Sequence, residues 1–175
     1  MITALKNAKR ITLPDDVENE RVYKELYKGD VVLISGTLYT ARDQAHKRIV
    51  AAINNGEPLP FDLNNAAIYY CGPTPATDGQ IIGSCGPTTS LRMDDYTPAL
   101  LDKGLKVMIG KGVRELFVNN KIRKHCAIYF CAIGGAAALY QSTVTACELI
   151  AYPDLGCEAV YKLTVKDFPA VVKIM

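Results

Sequence analysis

Arg42, Arg92 and Lys111 each stand a short way past an apolar run that reads as a strand. Arg42 follows the second such run, Arg92 lies beyond the loop after 66–71, and Lys111 comes directly after 105–109. In an open α/β sheet the carboxyl ends of parallel strands face one crevice, so this placement can bring the three charges together. Arginine's planar fork suits a two-point grip on a carboxylate, and lysine supplies a compact point charge. Two arginines fit two carboxylates, which makes a small dicarboxylate the ligand this set would take. Thr88 and Thr89 sit in Gly83-Ser84-Cys85-Gly86-Pro87-Thr88-Thr89-Ser90, where a helix start would favour negative charge developing on oxygen. The same threonines also read as N-caps and the three cations as independent surface charges. Residue types alone leave both readings open.

Other chemistries fit less well. Gly110-Lys111-Gly112 invites a phosphate, but Gly104 and Gly110 are separated by five residues instead of four, and Gly112 stands where Ser or Thr is required. The third glycine of a dinucleotide fingerprint is also missing. No Cys-x-x-Cys pair occurs, and the two histidines, His46 and His125, are far apart, so no metal ligand set is apparent. Cys126 and Cys131 read as small buried hydrophobes in or beside a core strand. Cys85, near an expected helix start, is a candidate reactive thiol.

The elements that must position these residues follow from period and punctuation. Residues 9–13 read as a strand, and Asp15 and Asp16 as the start of a helix running to about Tyr27. Lys28-Gly29-Asp30 turns into the apolar run 31–34, a strand that Ser35-Gly36 ends. Thr40 is placed as the N-cap of a helix with Ala41, Ala45, Ile49 and Ala52 on one face, Asp43 in its first turn and Asn55-Gly56 as its stop. Then come a strand at 66–71, the Gly-rich loop, a short helix opened by Thr97-Pro98, a strand at 105–109 and a helix over 113–124. A strand at 126–133, an alanine-rich segment after Gly134-Gly135 and two late strands near 147–151 and 158–165 complete the pattern. This alternation predicts an α/β fold, a mixed sheet flanked by helices with at least some parallel pairing.

The chain of 175 residues is long enough for one sizeable core, and one domain is the expectation. Its 20 basic and 18 acidic residues nearly cancel, which excludes a broad nucleic-acid-binding surface and makes any anion site local. The longest apolar stretches are too short to span a bilayer, and residues 1–10 lack the apolar region of a secretory signal, so a cytoplasmic location is expected. The six cysteines are expected as buried free thiols. An initial methionine with a strand soon after it reads as a separate subunit.

Three segments, taken together and in order, resemble the β component of the class I fumarase and L-tartrate dehydratase family. They are Thr40-Ala41-Arg42-Asp43-Gln44-Ala45-His46, Gly86-Pro87-Thr88-Thr89-Ser90-Leu91-Arg92-Met93-Asp94, and Gly110-Lys111-Gly112. The similarity continues through Gly134-Gly135-Ala136-Ala137-Ala138, Asp154-Leu155-Gly156-Cys157-Glu158-Ala159-Val160 and Val165-Lys166-Asp167-Phe168-Pro169, and so covers nearly the whole chain. The resemblance implies a single swivelling β/β/α domain over 1–175, closing over a [4Fe-4S] cluster held by cysteines of a larger alpha subunit and not by this chain. It implies Thr88 as catalytic base, Arg42, Arg92 and Lys111 as ligands of the substrate carboxylates, and Gly86 and Thr89 as residues shaping the same loop. The implied reaction is reversible hydration of fumarate to L-malate, with L-tartrate dehydration as the alternative, in a heterotetramer of two large and two small chains. A non-catalytic dicarboxylate-binding module is the reading from another class, and the complete set of Thr88, Arg92 and Lys111 argues against it.

Overall fold

The computed structural model describes residues 7–175. Residues 1–6, part of the segment read for a secretory signal, lie outside the described residues. The elements are strands β1 (Lys9–Leu13), β2 (Val31–Thr40), β3 (Ala67–Tyr69), β4 (Val107–Gly110), β5 (Ile128–Cys131), β6 (Val144–Ala151) and β7 (Val160–Ile174). The helices are α1 (Asp15–Glu18), α2 (Arg21–Glu25), α3 (Asp43–Asn55), α4 (Thr97–Asp102), α5 (Leu116–Lys124) and α6 (Ala137–Thr143), with 3₁₀ turns at Ser90–Met93 and Pro153–Glu158. The result is a mixed seven-stranded sheet flanked by helices, as the alternation predicts. Among the described residues no helix is long and apolar enough to cross a membrane.

β1 to β5 pair in parallel, and β7 runs antiparallel to both β5 and β2. The pairing therefore returns to β2 and closes a ring through β3, β4, β5 and β7, with β1 and β6 outside it. The mixed sheet is thus closed, a feature the sequence reading left unspecified. β7 makes the closure possible, because it is far longer than the strand expected at 158–165. Pro169 does not stop it: β6 pairs with Val160 to Val165 and β5 with Val171 to Ile174, so the proline falls where only β2 is a partner.

Alternation along the short central strands divides the core in two. Ala67 and Tyr69 point inward with Val107, Ile109, Ile128 and Phe130, and Val17, Val22 and Leu26 of the first helical segment belong to the same cluster. Ile68, Met108 and Tyr129 face outward against Ile49, Leu100, Val118 and Ile122 of α3, α4 and α5. Strands buried on both faces have to be apolar throughout, which is why these runs showed no period of two in the sequence.

Local departures from expectation have local causes. β2 does not end at Ser35-Gly36. Gly36 sits at a register shift against β7 with φ +114°, and a Cβ there would lie 2.0 Å from the Leu13 carbonyl oxygen, so the glycine admits β1 instead of terminating β2. The helix expected to reach Tyr27 is two short ones, broken where Glu20 has φ +57°. Val17 and Val22 both enter the core, and five residues of helix would set them about 140° apart, so one continuous helix could not bury both. Thr40 is not an N-cap. It ends β2, fully buried, where its hydroxyl donates to Ala159 O at 3.3 Å and accepts from the Tyr161 amide at 2.9 Å.

Of the six cysteines, all free thiols, only Cys71 and Cys85 are buried. Their sulfurs lie 3.6 Å apart, and this contact and burial together hold the Cys71 thiol well above its ordinary pKa. Cys85 is sealed in the core instead of lying at a helix start, which removes the condition for a reactive thiol. Cys126 is exposed, in a positive-φ turn before β5, and Cys131 is half-buried. The expectation of small buried hydrophobes is corrected for both.

Candidate active site at the carboxyl ends of β2 to β4

Arg42 follows β2 by one residue, Ala41, and occupies the N-cap position of α3 with an extended backbone and no side-chain cap bond. Its side chain lies across Gly72, just past β3. A Cβ on Gly72 would meet Arg42 Cδ and the Cys157 carbonyl oxygen, each at 2.9 Å. Asp43 then reaches both arginines: Arg92 Nε donates to Oδ1 at 2.8 Å, and Arg42 Nε lies 3.7 Å from Oδ2. Glu158 stands 3.6 Å from the other side of Arg42 and accepts from the Gln44 amide at 2.9 Å. Arg42 Nε and Asp43 Oδ2 are buried atoms that make no hydrogen bond, so the site holds unused hydrogen-bonding capacity.

The loop bearing Thr88 is fastened to the ends of β3 and β4. Thr88 N donates to Tyr70 O at 2.6 Å, Thr88 O accepts from Lys111 N at 3.1 Å, and Ser90 N donates to Lys111 O at 2.9 Å. Thr88 and Lys111 are thereby backbone neighbours. Thr89 has an extended backbone at the head of a single 3₁₀ turn, with Thr88 before it, rather than capping an α-helix, and Thr89 makes no side-chain cap bond. That outcome removes the capping explanation for Thr89. Gly86 backs this loop against α6, where a Cβ would stand 3.2 Å from Ala137 Cβ.

Beneath the loop lies a buried polar network that residue types and spacing did not reveal. Arg114, with a side chain sealed from solvent, pairs with Asp94 at 2.5 Å, donates to Thr97 Oγ1 at 2.6 Å and reaches Tyr70 Oη at 3.1 Å. Asp94 also accepts from the Glu115 amide at 2.7 Å. Tyr129 Oη bonds Ser90 Oγ at 2.9 Å and donates to Gly112 O at 3.0 Å. Burial raises the phenol's pKa and keeps it protonated. Gly110 leaves room for this packing, since a Cβ there would lie 2.1 Å from Ser90 Oγ. The network clamps the segments carrying Arg92 and Lys111 from below. Asp94 appears in the sequence beside Arg92, but nothing there marks it as the partner of a residue 20 positions away.

His46 supports Arg42 in the same way. Its backbone amide and Nδ1–H both donate to Arg42 O, at 2.8 and 2.9 Å. Burial lowers its pKa from 6.5 to about 4, so the folded imidazole stays neutral. Between those values the unfolded chain takes up a proton that the folded chain refuses, and stability falls as pH drops through that window, by up to about 3 kcal/mol. Urea unfolding at pH 7 and pH 4.5 is expected to show that loss, and His46→Asn, which keeps a donor to Arg42 O, should remove most of the difference from the parent. An equal slope in both proteins would assign the acid sensitivity to carboxylates.

The sequence-predicted residues therefore gather at one pole of the ring: Arg42, Thr88, Arg92 and Lys111, with Gly86 and Thr89 in the same loop. They form an open rim, on which the Arg92 side chain is 49% exposed. A cavity of about 540 Å³ lined by Tyr23, Lys106, Arg123 and Met175 lies at the opposite, amino end of the strands and contains none of them.

Comparison with known proteins agrees with the motifs. Residues 2–175 match the family model described as Fumarase C-terminus. The chain is 40% identical over 143 residues to the aerobic class I fumarate hydratase of Escherichia coli, covering 81% of this chain and 26% of that one. Fumarate hydratase 2 of Leishmania major is likewise 40% identical over 148 residues, covering 83% of this chain and 26% of its own. A protein of Methanocaldococcus jannaschii, provisionally named L(+)-tartrate dehydratase subunit beta, is 36% identical over 157 residues, 87% of this chain and 80% of that one. The chain thus spans about a quarter of the fumarate hydratases and most of the beta subunit. It belongs to the Fumarase C-terminus family.

Proposed function

We propose that this chain is the beta component of a hydro-lyase that hydrates fumarate to L-malate reversibly, and that its rim supplies the substrate clamp. The observation that carries this reading is the convergence of Arg42, Arg92 and Lys111 around Thr88, tied together by Asp43 and by the Thr88–Lys111 backbone bond. Because Arg92 holds Asp43 through Nε, its two terminal nitrogens remain to take a carboxylate end-on. Arg42, oriented from both sides by Asp43 and Glu158, takes the second carboxylate with Lys111. In the dehydration direction Thr88, as its oxyanion, accepts the proton from the carbon adjacent to the one that bears the departing hydroxyl, and the surrounding positive charge favours that oxyanion. Gly86 and Thr89 set the path of that loop.

Among the described residues no group of three His, Cys, Asp or Glu side chains could hold a metal ion. Cys71 and Cys85 contact each other inside the core, and the described residues present no ligand set for a cluster. In this proposal the [4Fe-4S] group expected of a class I enzyme belongs to a larger alpha subunit, with which this chain, acting as one swivelling domain over 1–175, forms a heterotetramer. Six free thiols agree with a reducing cytoplasm.

L-Tartrate is the second reading, favoured by the tartrate dehydratase beta subunit, 80% of which aligns with this chain. Turnover of fumarate and of L-tartrate by the co-expressed pair decides between them, and activity on neither substrate overturns the enzyme reading. In the active pair, Arg92→Ala is expected to lower kcat/KM by roughly 30-fold to a few thousandfold, the cost of leaving a desolvated carboxylate without its partner. A rate near that of the parent would remove Arg92 from the clamp.

A further inference from the structure

Large apolar side chains exposed to solvent cluster beside the rim. Val113 and Leu116 are 68% and 78% exposed, and Phe117 and Leu91 nearly half. They belong to two segments that the fold stitches together: the Ser90 amide bonds Lys111 O, and the Glu115 amide bonds Asp94. The patch is thus continuous with Arg92 and Lys111, one of which falls within each segment. α5 sharpens the contrast. Val118 and Ile122 face the outer core, the exposed positions further along are Asn120, Arg123 and Lys124, and apolar exposure is confined to the end nearest the rim. A helix that only needed to cover the sheet would keep polar residues at Leu116 and Phe117, since contiguous exposed apolar surface marks an interaction site.

We infer that Leu91, Val113, Leu116 and Phe117 form the docking surface for the larger chain, on the α5 side of the rim, and that docking there brings the partner over Arg92 and Lys111. This inference rests on the functional reading above and names the surface through which that site is completed. The occupant is argued from length. In the fumarate hydratase relatives this fold is about a quarter of one polypeptide, so a body roughly three times larger is covalently joined to it. In a two-chain arrangement, where no covalent link holds that body in place, a contact surface must do so. An apolar patch bordering the cations provides such a surface and also excludes water from them.

The test uses the larger chain from the same source, the one whose sequence matches the remaining three quarters of the fumarate hydratase relatives. Size-exclusion chromatography with light scattering should show a complex of the two unmodified chains. Leu116→Asp combined with Phe117→Ser should weaken it at least about a hundredfold, because central apolar anchors dominate such interfaces. Both positions are on the surface, so the variant should melt at the parent's temperature, and Tyr27→Ser, 68% exposed near the turn before β2, should bind as the parent does. Hydrogen exchange should slow at 88–94 and 111–118 on complex formation.

A complex indifferent to the double variant overturns the inference. So does failure of the unmodified chains to associate, and so does a dimer of this chain alone that the variant disperses, which would make a second copy the occupant. Activity separates this inference from the functional reading. A complex that depends on the patch but hydrates neither substrate sinks the function and leaves the surface, whereas an active complex indifferent to the patch does the reverse.

Discussion

Thr88→Val in the assembled enzyme should reduce kcat for fumarate by about 10²- to 10⁴-fold while leaving the fold and KM nearly unchanged. Both backbone groups of Thr88 are engaged, its N–H with Tyr70 O and its C=O with Lys111 N, and neither bond uses the hydroxyl. Valine has nearly the same shape and is at ease in an extended backbone, so the loop should keep its course. What the substitution removes is the oxygen proposed to take the proton, and losing a positioned general base carries a cost of that size. A group acting only in the transition state lowers kcat, whereas one that binds substrate and transition state alike raises KM. Thr88→Ser, which restores the oxygen on a smaller side chain, should recover most of the rate. An unchanged kcat in the valine variant would reduce Thr88 to a strut joining β3 and β4.

The sequence made the site more legible than the fold that builds it. The gathering of Arg42, Arg92 and Lys111 at one end could be anticipated because each comes after a strand, and parallel strands carry such positions to one end, whereas their proposed roles and that of Thr88 rest on the family resemblance. That rule, argued for open sheets, holds for a closed one as well. The closure was hidden because it depends on β7 continuing past Asp167 and Pro169, residues that locally argue for a break. Asp167 has φ +55° and its amide bonds Ser35 Oγ, beside the same irregularity that bends β2 at Gly36. The two breaks coincide in space, and only the pairing of strands more than a hundred residues apart turns them into a continuous ladder.

The acidic partners were hidden for a similar reason. Asp43 reads correctly as a first-turn acid of α3, and that reading is complete within its own helix. Its hold on Arg92, 49 residues away, is a tertiary contact with no local signature. Glu158 likewise enters from a turn before β7, which lies beside β2 only because the ring closes. Three cations in a sequence suggest a strongly positive rim. The folded site interleaves two carboxylates with two of them, so the arginines are oriented before any substrate arrives and lose less freedom on binding it.

Arg114→Met should destabilise the folded chain by about 3 to 5 kcal/mol, read from the urea midpoint at an unchanged m value. Methionine can fill much of the space, so cavity formation is a small part of this cost. The larger part is Asp94, whose carboxylate would remain buried with a single amide, that of Glu115, as partner. If this is the cause, Asp94→Asn in the Arg114→Met background should recover part of the loss, because a neutral amide can keep the Glu115 contact without a buried charge. Additive losses would instead indicate that the two residues act separately. The same network decides how a surviving variant behaves as an enzyme. Arg114 lies over the ring of Tyr129, which bonds Ser90 and Gly112, and it bonds Tyr70, whose carbonyl holds the Thr88 amide, so Arg114→Met should blur the spacing between the proposed proton acceptor and clamp. The variant should therefore lose kcat even at temperatures where it remains fully folded, a result that a purely structural role for Arg114 does not predict.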